Sequence, residues 1–131
     1  MVPAFALEVV SSDWLKDYAE APLRYQRLGT SELIIFDPYF AERRDGARFQ
    51  RYARSEEGVL TLADRADGDR IHSQTLGCFL RIIGAAHTQR LRLALAPNGH
   101  DLYPTAEEAE RAAKEAALAR IAELEEELSG R

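Results

Sequence analysis

Residues 5–10 read FALEVV and residues 32–36 read ELIIF, and these two short apolar runs decide the fold. A nearly continuous apolar run of this length is typical of a β-strand that is covered on both faces. The segment between them is long enough for a helix of about four turns. A strand, a helix and a strand in this order favour a parallel β-α-β unit. We therefore predict an α/β (α+β) domain built around this unit.

The connecting helix is predicted between residues 14 and 28. The run Ser11-Ser12-Asp13 offers side chains that accept hydrogen bonds from free helix N–H groups, and Gly29 is typical of a helix C-terminus. Pro22 falls inside this helix, where it is expected either to kink the helix or to begin a second one.

After Asp37-Pro38 the pattern changes to an alternation of apolar and polar residues, which is typical of antiparallel strands. Turn residues at Glu57-Gly58 and Asn98-Gly99 predict hairpins. One of the segments, residues 76–83, fits a helical turn nearly as well as a strand. Together they predict a mixed sheet with few helices. The further strands are expected at residues 48–53, 59–62, 71–73, 76–83 and 90–95, the last of them pairing with Leu102-Tyr103.

A long C-terminal helix is predicted over residues 106–128. Thr105 and Glu108 have the spacing of a capping box, and the residues that follow are mostly good helix formers. Apolar residues recur on one side of this helix, which indicates either a coiled-coil seam or a face that docks on the domain. They are Ala117, Ile121, Leu124 and Leu128. The chain is thus divided into a domain at 1–104 and a helix at 105–131.

Composition bounds the class of protein. With 131 residues, of which 46% are hydrophobic, the chain has material for one hydrophobic core. It shows neither an apolar leader nor an uninterrupted apolar run of membrane-spanning length, so we expect a cytoplasmic protein without a membrane partner. The lone Cys78 has apolar neighbours, which predicts a buried structural side chain rather than a reactive thiol.

The net charge of −5 is unevenly distributed. Residues 106–131 carry eight Glu against four Lys and Arg, so the rest of the chain is nearly neutral. A basic run in that part could meet DNA phosphates. Because no aromatic platform is interleaved with it, we favour the solvated face of a hairpin. The run consists of Arg43, Arg44, Arg48, Arg51 and Arg54.

Glu8 is the candidate functional residue. A carboxylate within a buried strand must be compensated by a cation, a hydrogen-bond donor or a metal. Strand alternation places Glu8 on the face shared by Ala6 and Val10. Lys16 and Asp17 follow on the next element, so a cation and a second acid could converge on Glu8 near the carboxyl end of the strand. A plain structural ion pair is the simpler interpretation.

The sequence around Glu8 resembles a known nuclease family, the Uma-type restriction endonucleases of the PD-(D/E)XK superfamily. The segments that carry the likeness are residues 3–12 (PAFALEVVSS), a helix bearing Asp17 and Tyr25, and residues 28–38 (LGTSELIIFDP). The likeness extends through Leu76-Gly77 to Tyr103. Many members also end in a helix rich in Ala, Glu and Arg, so the resemblance covers most of the chain. It implies a restriction-endonuclease-like fold.

The resemblance also implies metal-dependent hydrolysis of DNA. In the family, an Asp and a Glu on neighbouring strands hold Mg²⁺, and a Lys orients or deprotonates the attacking water. Glu8 matches the family's metal-binding glutamate, with Lys16 and Asp17 as the candidate catalytic residues beside it. The strand bearing the metal-binding Asp is expected upstream of this chain. The family's Pro-Asp is Pro3-Ala4 here and its helix lysine falls on Ala21, so we expect weak cleavage or none.

Two functions follow from the sequence. The first is an endonuclease-like protein that uses Mg²⁺ and binds DNA, with little or no activity in this chain. The second is a non-catalytic interaction or oligomerisation module, which the missing Asp, the acidic balance and the terminal helix favour. In that case residues 106–128 would form a homodimer or bind a partner helix. No organic cofactor is expected for either function.

Overall fold

The computed structural model describes residues 2–42, 46–85, 88–98 and 100–130. Within these ranges the chain forms strands and helices of a mixed α+β fold, as predicted, and a short 3₁₀ turn at Phe40–Glu42. The strands are β1 (Phe5–Val9), β2 (Glu32–Phe36), β3 (Phe49–Arg54), β4 (Leu60–Ala66), β5 (Arg70–Ser73), β6 (Cys78–Ile83) and β7 (Arg90–Ala94). The helices are α1 (Trp14–Leu28) and α2 (Ala106–Ser129).

The predicted mixed sheet is confirmed by the first of two sheets, whereas the remaining three strands form a separate sheet instead of extending it. The first sheet has the order β1-β2-β3-β4 and the second the order β5-β6-β7. β1 and β2 are parallel, with Leu7 opposite Ile34, and α1 connects them as predicted. The other strand pairs are antiparallel. Alternation along a strand does not reveal whether the next strand extends a sheet or folds over it. Here every residue of β2 is buried, so both of its faces need cover.

Two hydrophobic cores lie on opposite faces of the first sheet. The core under α1 contains Ala6, Val10, Ala21, Leu33, Ile35 and Leu60. The core between the two sheets contains Ile34, Phe36, Phe49, Ile71, Leu80 and Ile82. β2 contributes to both cores because successive side chains of a strand point to opposite faces. The domain is therefore built of three layers, with a helix on a sheet on a second sheet.

α1 runs without a break through Pro22, which therefore does not begin a second helix. Its N-terminus differs from the prediction, because Asp13 makes no side-chain capping bond. Instead, the carboxylate of Asp17 accepts hydrogen bonds from the backbone N–H and the hydroxyl of Ser11, both at 2.7 Å. At the other end, Gly29 ends the helix in the left-handed conformation with a φ of 82°, where a side chain would be strained.

β6 is the central strand of the second sheet, which resolves the ambiguity between helix and strand for this segment. It pairs with β5 on one side and with β7 on the other. Cys78 is buried as predicted, and burial raises the pKa of its thiol, which disfavours the reactive thiolate. The predicted pairing after β7 is confirmed by a bridge between Ala94 and Leu102. Gly99, from the predicted turn, lies outside the described residues.

α2 is exposed along its whole length, and none of its residues is buried. The predicted capping box is confirmed, since Thr105 and Glu108 each bond the backbone N–H of the other through their side chains. An ion pair between Arg92 and Glu108, at 2.7 Å, ties the first turn of α2 to β7. In the part of the chain that the structure describes, neither helix has the combination of length and apolar character needed to cross a membrane.

Candidate functional site

Glu8 lies on the face of the first sheet that α1 covers, as strand alternation predicts. The guanidinium of Arg24 donates a hydrogen bond to its carboxylate at 3.1 Å, and the hydroxyl of Tyr25 donates another at 3.2 Å. The Glu8 side chain is 21% exposed and that of Arg24 is 52% exposed. A cation and a hydroxyl from one helix thus compensate the carboxylate, in the manner of a partly exposed structural ion pair.

The other two candidate residues, Lys16 and Asp17, make different contacts. Lys16 is exposed. The two hydrogen bonds from Ser11 hold the pKa of the Asp17 carboxyl below its ordinary value. The structure therefore shows Asp17 bonded within the N-terminus of α1. The C-terminal half of α1 supplies the cation to Glu8, through Arg24.

A second carboxylate, Asp37, directly follows β2 at the same end of the sheet. It is fully buried and accepts hydrogen bonds from the hydroxyl of Tyr18 at 2.7 Å and the backbone N–H of Tyr39 at 2.9 Å. The parallel register puts Glu8 and Asp37 on the same face, under α1. The carboxyl ends of neighbouring parallel strands are where ligands bind in open α/β sheets. Sequence reasoning used Asp37 as a strand end and as part of the segment 28–38 that carries the resemblance, but not as a candidate site residue, although its place directly after β2 was the available signal.

The residues at this end of the sheet do not fit a divalent cation. Among the described residues, no three His, Cys, Asp or Glu side chains come together as a metal site would require. The carboxylate of Glu8 is engaged by Arg24, and that of Asp37 by Tyr18 and Tyr39. Mg²⁺ prefers several carboxylate and water oxygens, so it would have to displace the guanidinium of Arg24.

The three described arginines of the basic run do not form a solvated hairpin face, so that prediction is wrong for them. Arg51 is 7% exposed and lies between the two sheets. Arg54 donates hydrogen bonds to backbone carbonyls at the end of α1. Arg48 lies over the ring of Phe40, with its guanidinium carbon 4.7 Å from the ring centroid. These three arginines therefore make contacts within the fold, while Arg43-Arg44 lies outside the described residues.

Glu32 is a further buried carboxylate that sequence reasoning missed. It is 2% exposed and lies between the two sheets at the start of β2. Arg51 donates a hydrogen bond to it at 3.1 Å, the backbone N–H of Gln74 donates another at 3.0 Å, and the hydroxyl of Ser73 donates a third. Arg51 also pairs with Asp64 at 2.8 Å. We call Glu32, Arg51 and Ser73 the inter-sheet cluster, because it joins β2 and β3 to the end of β5.

α2 exposes large apolar side chains to water. The exposed fractions are 58% for Leu118, 52% for Ile121, 41% for Leu124 and 67% for Leu128. Spacings of three and four residues put these side chains on one side of the helix. The sequence predicted either a coiled-coil seam or docking of this side on the domain. The structure does not show docking, since α2 buries no residue.

A scan of the chain against protein-family models gave no match, and a search of the curated proteins gave none either. The function has therefore to be inferred from the contacts of the chain itself.

Proposed function

We propose that this chain is a non-catalytic assembly module in which α2 pairs with α2 of a second copy. The observation that supports it is a helix of 24 residues that buries nothing on its own domain and leaves Ile121, Leu124 and Leu128 in water. Burying apolar surface against a second copy is favourable by about 25 cal/mol per Å². Helices in proteins gain most of their stability from such packing of an apolar side.

The charges beside this apolar seam are compatible with a parallel pair. With Ile121 and Leu124 as core positions, Arg120 and Glu125 occupy the flanking positions that meet between parallel helices. Arg120 of each copy then faces Glu125 of the other. Within its own helix Arg120 pairs with Glu123 at 2.9 Å in an exposed pair, which is weak enough to be exchanged.

Removing α2 should lower the mass of the particle in solution. The full chain should be larger than a monomer by light scattering, and a chain ending at Thr105 should lose the association that α2 provides. The shortened chain should still fold, because both hydrophobic cores lie before residue 105 and α2 contributes no buried residue. Identical masses for the two chains would contradict the proposal.

Substitutions test the seam in the full-length chain. Ile121→Glu combined with Leu124→Glu puts charge into the paired surface and should give the same loss of mass as removing α2. The matched control is Ala119→Glu, which adds charge on the opposite side of the helix and should leave the mass unchanged. Equal effects of the control and the seam substitutions would point to net charge rather than to the seam.

Metal-dependent hydrolysis of DNA is the second candidate function, and Glu8 and Asp37 support it. These two acids follow the geometry expected at the ends of neighbouring parallel strands. The resemblance of residues 3–38 to the Uma-type nucleases also matches Glu8 to the family's glutamate. The ion pair with Arg24 weighs against activity, because it engages the carboxylate that a metal would need. We therefore propose nuclease ancestry with catalysis lost.

Incubation with plasmid DNA and Mg²⁺ or Mn²⁺ should produce no cleavage above that of a Glu8→Ala variant, as measured on agarose gels. The expected cause is the missing set of converging carboxylates around Glu8. Glu20→Ala, which removes an exposed acid from α1, is the matched control. The contrary outcome is cleavage by the unaltered chain and by the Glu20→Ala variant, with none by Glu8→Ala. That result would refute the non-catalytic proposal and support a nuclease.

A further inference from the structure

We infer that the outer edge of β1 is a second self-association surface, at which β1 of another copy adds as an antiparallel strand. β1 is the first strand of its sheet and, among the described residues, pairs only with β2. The far side of such a strand presents backbone N–H and C=O groups that can pair with a further strand. This surface is separate from α2, and its existence does not depend on the pairing of α2.

Three residues of β1 direct their backbone groups toward this outer edge. The N–H of Val10 bonds the carbonyl of Phe36 at 2.8 Å. The N–H of Glu32 bonds the carbonyl of Ala4 at 3.0 Å. The even-numbered residues therefore bond to β2, and the intervening residues direct their N–H and C=O groups away from it. The residues with outward backbone groups are Phe5, Leu7 and Val9.

The other sheet edges carry features that discourage the addition of a strand. β4 presents Asp64 and Arg65 and has an irregular register with β3. β5 begins with Arg70. β7 is partly covered by the following chain, since Leu102 bridges to Ala94. Charges, bulges and covering segments are the usual means by which proteins protect such edges.

In the part of the chain that the structure describes, β1 has none of these protections. Its sequence FALEV contains no Lys, Arg or Pro, and its pairing with β2 is regular. The one charged residue, Glu8, points to the α1 side, where Arg24 neutralises it. On the opposite face Leu7 is 37% exposed and Val9 is 53% exposed. A strand added at this edge would bury apolar surface as well as pair the backbone.

One register makes β1 complementary to itself. In an antiparallel pair centred on Leu7, Leu7 lies opposite Leu7 of the second copy and Phe5 lies opposite Val9. Every residue with outward backbone groups then belongs to a hydrogen-bonded pair. Glu8 falls opposite Ala6, so the two carboxylates do not face each other directly, and each keeps its own arginine. This match of charge and backbone pattern assigns a second copy as the occupant.

Two different two-fold surfaces take the assembly beyond a dimer. α2 joins two copies, and β1 joins each of them to a further copy, so that the assembly either closes into a tetramer or continues as a chain of copies. Loss of either surface alone leaves a dimer, and loss of both leaves a monomer.

Sedimentation velocity on four full-length proteins tests this assignment. They are the unaltered chain, Leu7→Lys, the seam variant Ile121→Glu with Leu124→Glu, and the combination of all three substitutions. Lysine at position 7 would put two cations opposite each other in the paired strands, and Leu7 is already partly exposed. We expect a tetramer or larger particle for the unaltered chain and a monomer for the combination. Leu7→Lys and the seam variant should each be a dimer. Circular dichroism checks that each protein is folded.

The matched control is Leu93→Lys, because Leu93 is also 37% exposed and lies on the edge strand β7. It should leave the mass unchanged. Should Leu7→Lys fail to fold, Val9→Lys serves instead, since Val9 is still more exposed.

The outcomes separate the two surfaces. A monomeric seam variant, or a Leu7→Lys protein with the mass of the unaltered chain, overturns the β1 surface and leaves the α2 proposal standing. A seam variant that keeps the mass of the unaltered chain, while Leu7→Lys becomes a monomer, overturns the α2 proposal and supports β1. A monomeric unaltered chain overturns both.

Discussion

Arg51→Met is expected to lower the free energy of unfolding by about 3–5 kcal/mol, as is typical when one partner of a buried ion pair is removed. Arg51 is 7% exposed and donates a hydrogen bond to Glu32, which is 2% exposed. Methionine fills much of the same volume but carries no charge. The carboxylate of Glu32 then remains between the sheets with Ser73 and backbone N–H groups as its donors, and no cation.

Urea unfolding followed by the fluorescence of Trp14, the single tryptophan, measures this loss. The control is Arg111→Met, which breaks an exposed ion pair with Glu107 in α2 and should change the free energy of unfolding by less than about 1 kcal/mol. A loss in Arg51→Met no larger than in this control would refute a stabilising role for the inter-sheet cluster.

The double variant Glu32→Gln with Arg51→Met distinguishes an unpaired charge from a lost packing contact. The neutral amide of glutamine needs no cation, so the double variant should be more stable than Arg51→Met alone. If the loss of stability in the double variant equals the sum of the losses for Arg51→Met alone and Glu32→Gln alone, the cost of Arg51→Met arises from packing and not from the carboxylate of Glu32.

Phe49→Ala should also lower the free energy of unfolding by about 3–5 kcal/mol. Phe49 is fully buried in the core between the sheets, and its ring stacks on that of Phe36 with the centroids 5.4 Å apart. Alanine removes both the buried apolar area and this ring contact. The surrounding side chains hold the two sheets apart, so the space left by the ring cannot close fully.

The same urea titration measures the effect of Phe49→Ala, with Phe79→Ala as its control. Phe79 is half-buried on the outer side of β6 and contacts the ring of His72, with the centroids 4.9 Å apart. Its removal should cost clearly less than that of Phe49. Equal losses for the two substitutions would mean that the core between the sheets is no more important than the outer surface of the second sheet.

Local signals in the sequence were sufficient for most of the individual elements. The capping box at Thr105 and the helix-forming residues after it gave the start of α2 correctly, because both depend on residues within one or two turns. The two apolar runs and the helix between them gave the parallel pairing of β1 and β2, because a connection of this kind has few alternatives.

Long-range pairing was beyond the sequence. Nothing local to Glu32 indicates that Arg51 and Ser73 will meet it, since these residues come from β3 and from the end of the second sheet's first strand. Because Glu32 is the first residue of its apolar run, it resembles an exposed strand end. Glu8, in the middle of its run, attracted attention instead and is the more exposed of the two acids.

The candidate site shows the same limit. Alternation placed Glu8 on the correct face, but the choice among the cations of α1 depends on how the helix lies across the strand. Arg24, which supplies the cation, is further along the chain than Lys16, the nearest one in sequence.

The order of the two sheets along the chain has a consequence during synthesis. α1 and the first sheet are complete once the ribosome has released Ala66, whereas the second sheet ends at Ala94. Until those last strands have emerged, Ile34 and Phe49 have no covering layer, and Glu32 lacks its hydroxyl partner. Nascent chains with apolar strands uncovered in this way are prone to aggregate. The interval between residues 66 and 94 is therefore when the growing polypeptide most needs protection by chaperones.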